Sequence, residues 1–86
     1  MVNRPDQIVD YHVRIVIDPA ILSGKPVIAG TRIPVSLILN LLAHGYDFER
    51  IVDAYPNLSQ DDIKAALAYA QARMDREELL PLVGRA

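Results

Sequence analysis

The sequence predicts a mainly α-helical domain with a small N-terminal β-hairpin and a three-helix bundle that contains a helix-turn-helix. Apolar residues recur with helical spacing in three segments, at about 35–44, 48–55 and 60–74. Upstream of them lie two short runs rich in β-branched residues, at 12–17 and 26–33. A pair of short strands is marginal in water, so we expect the hairpin to pack on the helices.

The chain has 86 residues, which is the size of one small domain. We assign that domain to 12–74, between a flexible polar arm at 1–11 and a C-terminal tail at 75–86. Hydrophobic residues make up 51% of the sequence, which is more than so short a chain easily buries. This excess predicts a homodimer or a bound partner protein.

The composition also argues against several functional classes. Without cysteine there is no disulfide and no thiolate metal site. The two histidines are far apart and no serine has an evident base, so we predict no catalytic residue, no metal, no cofactor and no enzyme activity. The sequence has neither a signal segment nor an apolar run near the ~18 residues of a membrane span, which predicts a cytoplasmic protein without a membrane partner. A formal net charge of −2 argues against strong non-specific binding of nucleic acid and leaves local basic patches open.

The first element, at 12–17, is predicted as a strand because β-branched residues dominate it, and its natural partner is the run that starts at 26. Small and rigid residues then form a structural motif, Gly24, Pro26, Gly30, Thr31 and Pro34. A turn is expected at Gly30 and Thr31, because glycine takes positive φ without steric penalty. Pro34 suits the first turn of the helix that follows.

The first two helices carry their own boundary signals. The helix at 35–44 is apolar nearly all round, which indicates burial on more than one side. Gly45 is placed to end it in a Schellman motif, with Tyr46 as the accompanying hydrophobic contact. Asp47 is the expected N-cap of the second helix, and Pro56 ends that helix.

The third helix is predicted to begin with a capping box formed by Ser59 and Asp62. Its apolar stripe is expected to comprise Ile63, Ala66, Leu67, Ala70 and Met74. The opposite face has small or polar side chains, Asp61, Lys64, Ala65, Ala68 and Ala72. Small side chains on that face would let another backbone approach closely.

The second and third helices, joined by a few residues around 56–58, match a helix-turn-helix. In that geometry the start of the third helix enters the major groove and presents Ser59, Gln60 and Lys64. Gln60 is suited to adenine, and Lys64 to guanine or phosphate, whereas the two aspartates after Gln60 would repel phosphate. The alternative is an ordinary three-helix packing unit.

Two further segments are candidates for binding. Arg32, between the turn and the first helix, is a candidate phosphate contact; the alternative is an ion pair with Asp18 or Glu49. The tail is more apolar than a solvated segment requires, which makes it a candidate toxin-binding or other partner-binding surface through Leu79, Leu80, Leu82 and Val83. The alternative for the tail is that it covers the core of its own domain.

The run Gly-Lys-Pro-Val-Ile-Ala-Gly-Thr-Arg-Ile-Pro-Val at 24–35 resembles the signature of the bacterial family called domain of unknown function four-three-three. The resemblance continues through Gly45 and the start of the third helix, and covers roughly 12–73. It implies a homeodomain-like, helix-turn-helix fold and, for many members, a VapB-type antitoxin. Such antitoxins bind a PIN-like ribonuclease toxin encoded nearby and repress their own operon by binding operator DNA. The alternative function is a dimeric protein-interaction module that does not bind DNA.

Overall fold

The structure, a computed structural model, describes residues 11–77. This part of the chain is mainly helical, with four α-helices and a two-stranded antiparallel sheet. In chain order the elements are α1 (Tyr11–Arg14), β1 (Ile15–Val16), a 3₁₀ turn (Leu22–Gly24), β2 (Val27–Ile28), α2 (Val35–Ala43), α3 (Phe48–Ala54) and α4 (Gln60–Glu77). The predicted arm lies outside the described residues, except for Tyr11, which belongs to α1.

The strand predicted at 12–17 is wrong in its first half, because the chain is helical as far as Arg14. Contacts with α4 hold this helical turn in place. Tyr11 packs edge-on against Tyr69, with ring centroids 5.6 Å apart, and Arg14 reaches the start of the same helix. Tertiary contacts of this kind override the β-propensity of a short segment.

The predicted pairing of the two β-branched runs is confirmed over two residues on each strand. Ile15 lies opposite Ile28, and Val16 lies opposite Val27, in antiparallel register. The second strand is far shorter than the predicted 26–33, because the chain turns directly after Ile28. The turn then brings the chain back along the same strand.

That turn is closed by a hydrogen bond from the Thr31 amide to the Ile28 carbonyl, at 3.0 Å. Gly30 has a φ of 80°, the left-handed value that the third position of a type II turn requires. The Thr31 hydroxyl donates to the Ile28 carbonyl and accepts from the Ile33 amide, at 2.8 and 3.0 Å. The turn thus sets the direction in which the chain enters α2.

We expect Gly30→Val to lower the free energy of unfolding by about 1 kcal/mol or more. A β-branched residue is strained at positive φ, and a Cβ at this position meets no atom within 4 Å, so the backbone conformation alone carries the effect. Urea denaturation of both proteins measures it. A midpoint equal to that of the wild type would show that this turn does not constrain the fold.

Pro34 is the N-cap of α2 and does not occupy its first turn as predicted. Its ψ of 150° is extended because Pro34 forms an antiparallel β-bridge with Val27. The helix ends in the predicted Schellman motif, in which the Tyr46 and Gly45 amides donate to the carbonyls of Leu41 and Leu42 at 3.0 and 3.1 Å. Gly45 has the expected positive φ, 94°.

The caps of α3 and α4 follow the sequence signals. The Asp47 carboxylate accepts from the Arg50 amide at 2.8 Å, at the start of α3. Helix α4 continues to Glu77, three residues past the predicted end of the third helix at 74. Neither glycine nor proline interrupts the chain there, and Gln71 donates to Asp75 one turn later, at 3.4 Å.

The core lies where α2, α3 and the sheet meet the first half of α4. The buried apolar residues of the described chain are Ile15, Val27, Ile28, Val35, Ile38, Ile51, Leu58, Ile63, Ala65 and Ala66. The predicted stripe of α4 is wrong in part, because Leu67 and Met74 are 40% and 59% exposed while Ala65, placed on the outer face, is fully buried. The additional packing of α1 and β1 on α4 extends the buried face to one side.

Candidate functional site

The connection between α3 and α4 contains residues 55–59 and is fixed by one buried side chain. Leu58 is 3% exposed and its amide donates to the Tyr55 carbonyl at 2.8 Å. Tyr55 leaves the helical conformation, as expected for a residue before proline. The start of α4 therefore has a defined position relative to α3.

Ser59 and Asp62 form the predicted capping box. The Ser59 hydroxyl accepts from the Asp62 amide at 3.2 Å, and the Ser59 amide donates to the Asp62 carboxylate at 3.0 Å. Gln60 and Lys64 are both exposed and lie one turn apart on the same face of α4. Three of the four residues predicted to contact DNA are thus together at the start of α4, with Ser59 engaged in the cap and Gln60 and Lys64 open to solvent.

The two aspartates at the start of α4 share a cation that the sequence did not reveal. Arg14 donates to the Asp62 carboxylate at 3.1 Å and lies 3.6 Å from that of Asp61. The Asp62 side chain is 13% exposed and that of Asp61 is 63% exposed. The guanidinium offsets one of the two negative charges that would otherwise oppose a phosphate here.

Arg32 lies in a different surface region. It lines a shallow depression of about 530 Å³ together with Leu22, Ser23, Lys25 and Pro34, to which α4 contributes no residue. The alternative ion pair with Asp18 or Glu49 is not found, since both ion pairs among the described side chains of residues 11–75 belong to Arg14. Arg32 is exposed and has no carboxylate partner in this part of the chain.

Comparison with known proteins identifies the family. Residues 15–70 match the family described as "Protein of unknown function (DUF433)". The chain belongs to the DUF433 family. A relative named "Uncharacterized protein y4eO", from Sinorhizobium fredii strain NBRC 101917 / NGR234, is 40% identical over 67 residues, which cover 78% of this chain. The aligned region is 27% of that relative, so the DUF433 chain spans about a quarter of the length of this curated relative.

A solved structure of the family has the same fold. The crystal structure of a DUF433 member protein from Anabaena variabilis ATCC 29413 matches with a TM-score of 0.65 and 30% sequence identity. The match covers 84% of this chain and 78% of that protein. The mainly helical architecture with a small sheet is therefore shared within the DUF433 family.

The remaining candidate surfaces of this DUF433 protein are apolar. Four large apolar side chains are more than a third exposed in the part of the chain that the structure describes: Val13, Ile17, Leu67 and Met74. The tail residues predicted to bind a partner, Leu79, Leu80, Leu82 and Val83, lie outside the described residues. Between residues 11 and 77 no helix is both long enough and apolar enough to cross a membrane.

Proposed function

We propose that this DUF433 protein is the antitoxin of a type II toxin–antitoxin pair. In this proposal it neutralises a PIN-like ribonuclease toxin by direct binding and represses its own operon by binding operator DNA. Helices α2–α4 act as a homeodomain-like helix-turn-helix bundle, with the first turns of α4 in the major groove. The form of the α3–α4 connection supports the helix-turn-helix part of this proposal.

The observation that carries the DNA-binding half is the state of the side chains at the start of α4. Gln60 and Lys64 are exposed on one face, where they suit adenine and guanine or phosphate. The acidic residues beside them are bound by Arg14, which lowers the repulsion of a phosphate. A helix start whose carboxylates were unpaired would be far less suited to DNA.

The exposed apolar residues support the protein-binding half. Dimers of helix-turn-helix proteins bind two half-sites, and exposed apolar side chains such as Leu67 and Met74 are suited to a contact between protomers. The apolar tail, with Leu79 and Leu82, is the proposed contact with the toxin. Co-expression with the product of the neighbouring gene tests this half, since an antitoxin restores growth and an unrelated protein does not.

A second candidate function is a dimeric protein-interaction module that does not bind DNA. The observation in its favour is the exposure of the Asp61 side chain, 63%, at the end of α4 that would face the phosphates. In that case the functional surface is formed by exposed apolar side chains such as Leu67 and Met74. The two candidates differ in whether the chain binds its own upstream DNA.

We expect Lys64→Gln to weaken binding to the operator about tenfold, because it removes a charged contact with guanine or phosphate. Arg73→Gln is the matched control, since it removes the same charge from an exposed position further along α4. Fluorescence anisotropy with a labelled operator duplex measures both variants. Equal affinities for Lys64→Gln and Arg73→Gln would place the DNA elsewhere on the molecule.

A further inference from the structure

The loop between the two strands contains a left-handed turn that the proposed function does not use. Three consecutive residues have positive φ: 49° at Leu22, 58° at Ser23 and 84° at Gly24. The Gly24 and Lys25 amides donate to carbonyls three residues earlier, at 3.0 and 3.2 Å, so the segment forms one turn of left-handed 3₁₀ type. Leucine and serine are rarely found in this conformation, and such strain is concentrated at ligand sites.

Two cations lie beside this turn without a partner of opposite charge. Lys25 and Arg32 are both exposed, and neither takes part in the ion pairs found among the side chains described between residues 11 and 75. The nearby Asp18 carboxylate instead accepts from the Ala20 amide at 2.9 Å. An uncompensated pair of a lysine and an arginine is suited to an anion.

The two chain segments next to these cations run side by side. The Val35 amide donates to the Pro26 carbonyl at 2.9 Å, and Val27 forms a β-bridge with Pro34. In this antiparallel register Lys25 lies next to Pro26 at one end of the pair, and Arg32 lies at the other end, beside the turn at Gly30 and Thr31. Both residues line the same depression, which they reach from these two ends.

We propose that the depression lined by Leu22, Ser23, Lys25, Arg32 and Pro34 binds a phosphate group carried by a nucleotide-sized molecule. The two cations and the Ser23 hydroxyl bind the phosphate, the arginine through its planar fork of donors. Leu22 and Pro34 provide an apolar wall for the organic part of the ligand. The volume, about 530 Å³, is larger than a lone phosphate needs and falls within the usual range for small-molecule sites.

Titration of the whole chain with adenosine monophosphate, followed by amide NMR shifts, tests the proposal. We expect saturable binding with the largest shifts at residues 22–25 and 30–33. Lys25→Gln and Arg32→Gln are each expected to weaken binding about tenfold, and the charge-matched control Arg73→Gln less than about twofold. All three substitutions are at exposed positions, so melting curves are expected to show that the variants remain folded.

Weakening by Arg73→Gln to the same extent would overturn the proposal, because it would show a general response to net charge. Inorganic phosphate is expected to shift the same amides at about tenfold higher concentration, since it lacks the part that contacts Leu22 and Pro34. Equal affinity for adenosine monophosphate and inorganic phosphate would contradict the proposed contact of Leu22 and Pro34 with the organic part of the ligand.

A parallel measurement of binding to the operator duplex distinguishes a free nucleotide from DNA as the source of the phosphate. The free-ligand assignment predicts that Lys25→Gln leaves operator binding unchanged while it weakens nucleotide binding. Loss of duplex binding in Lys25→Gln, with no nucleotide binding in the wild type, would assign the site to the DNA backbone and overturn the small-molecule proposal. The Lys64→Gln comparison tests the proposed operator contact separately, so the two can fail independently.

Discussion

Ile51→Ala is expected to lower the free energy of unfolding by about 3 kcal/mol, which is a large fraction of the stability of so small a domain. Ile51 is fully buried and is the one residue of α3 assigned to the buried core. Helix α3 has seven residues, too few to be stable without tertiary packing. The substitution therefore leaves a cavity and removes the side chain that packs this helix against the core.

Urea denaturation, monitored by circular dichroism, measures the effect. Asp53→Ala is the matched control, because Asp53 is exposed on the same helix and its replacement is expected to change stability by less than about 0.5 kcal/mol. The position of α3 against the core would be contradicted by an Ile51→Ala variant as stable as the Asp53→Ala variant.

Asp62→Ala is expected to lower the free energy of unfolding by about 2–3 kcal/mol. The carboxylate accepts from the Ser59 amide and from the Arg14 guanidinium, at 3.0 and 3.1 Å, so one substitution removes half of the capping box and the ion pair. The side chain is only 13% exposed, which limits replacement of these bonds by water.

Asp61→Ala is the control for this prediction, since its side chain is 63% exposed and lies 3.6 Å from the same guanidinium. An exposed pair at that distance contributes less than about 1 kcal/mol. A double-mutant cycle of Asp62→Ala with Arg14→Ala isolates the ion pair and is expected to give a coupling of about 1–2 kcal/mol. Equal losses for Asp61→Ala and Asp62→Ala, with no coupling to Arg14, would show that the pair of Arg14 and Asp62 does not stabilise the start of α4.

The features that the sequence predicted well depend on local chemistry. Gly45 ends α2 because the ending needs a left-handed residue, and Asp47 caps α3 because its carboxylate reaches an amide three residues ahead. The capping box of Ser59 and Asp62 has the same local origin. Each signal involves residues within a few positions of one another, so the sequence displays it directly.

The features that the sequence missed depend on contacts between distant residues. Helix α1 overlaps the predicted strand because Tyr11 and Arg14 contact α4, and Arg14 lies 48 positions before Asp62. The same packing turns the buried face of α4 toward Ala65 and away from Leu67. No periodicity within α4 carries that information.

The candidate site also combines features set by local sequence with features set by contacts between distant residues. The exposure of Gln60 and Lys64 follows from the cap that starts α4, whereas the cation that offsets the acidic start comes from α1. The left-handed turn at Leu22 and Ser23 had no sequence signal, because neither residue favours positive φ. Arg32 and Lys25 line one depression although the antiparallel bridge between Val27 and Pro34 places them at opposite ends of the paired segments.

The most direct test of the proposed function is an electrophoretic mobility shift of the protein with its own upstream DNA, at low and moderate salt, with sedimentation to give the oligomeric state. We predict that a dimer binds this duplex, that a shuffled duplex of equal length competes poorly, and that affinity falls as salt rises. Failure to bind the upstream DNA even at low salt, or equal competition by the shuffled duplex, would contradict the assignment of α4 to operator recognition.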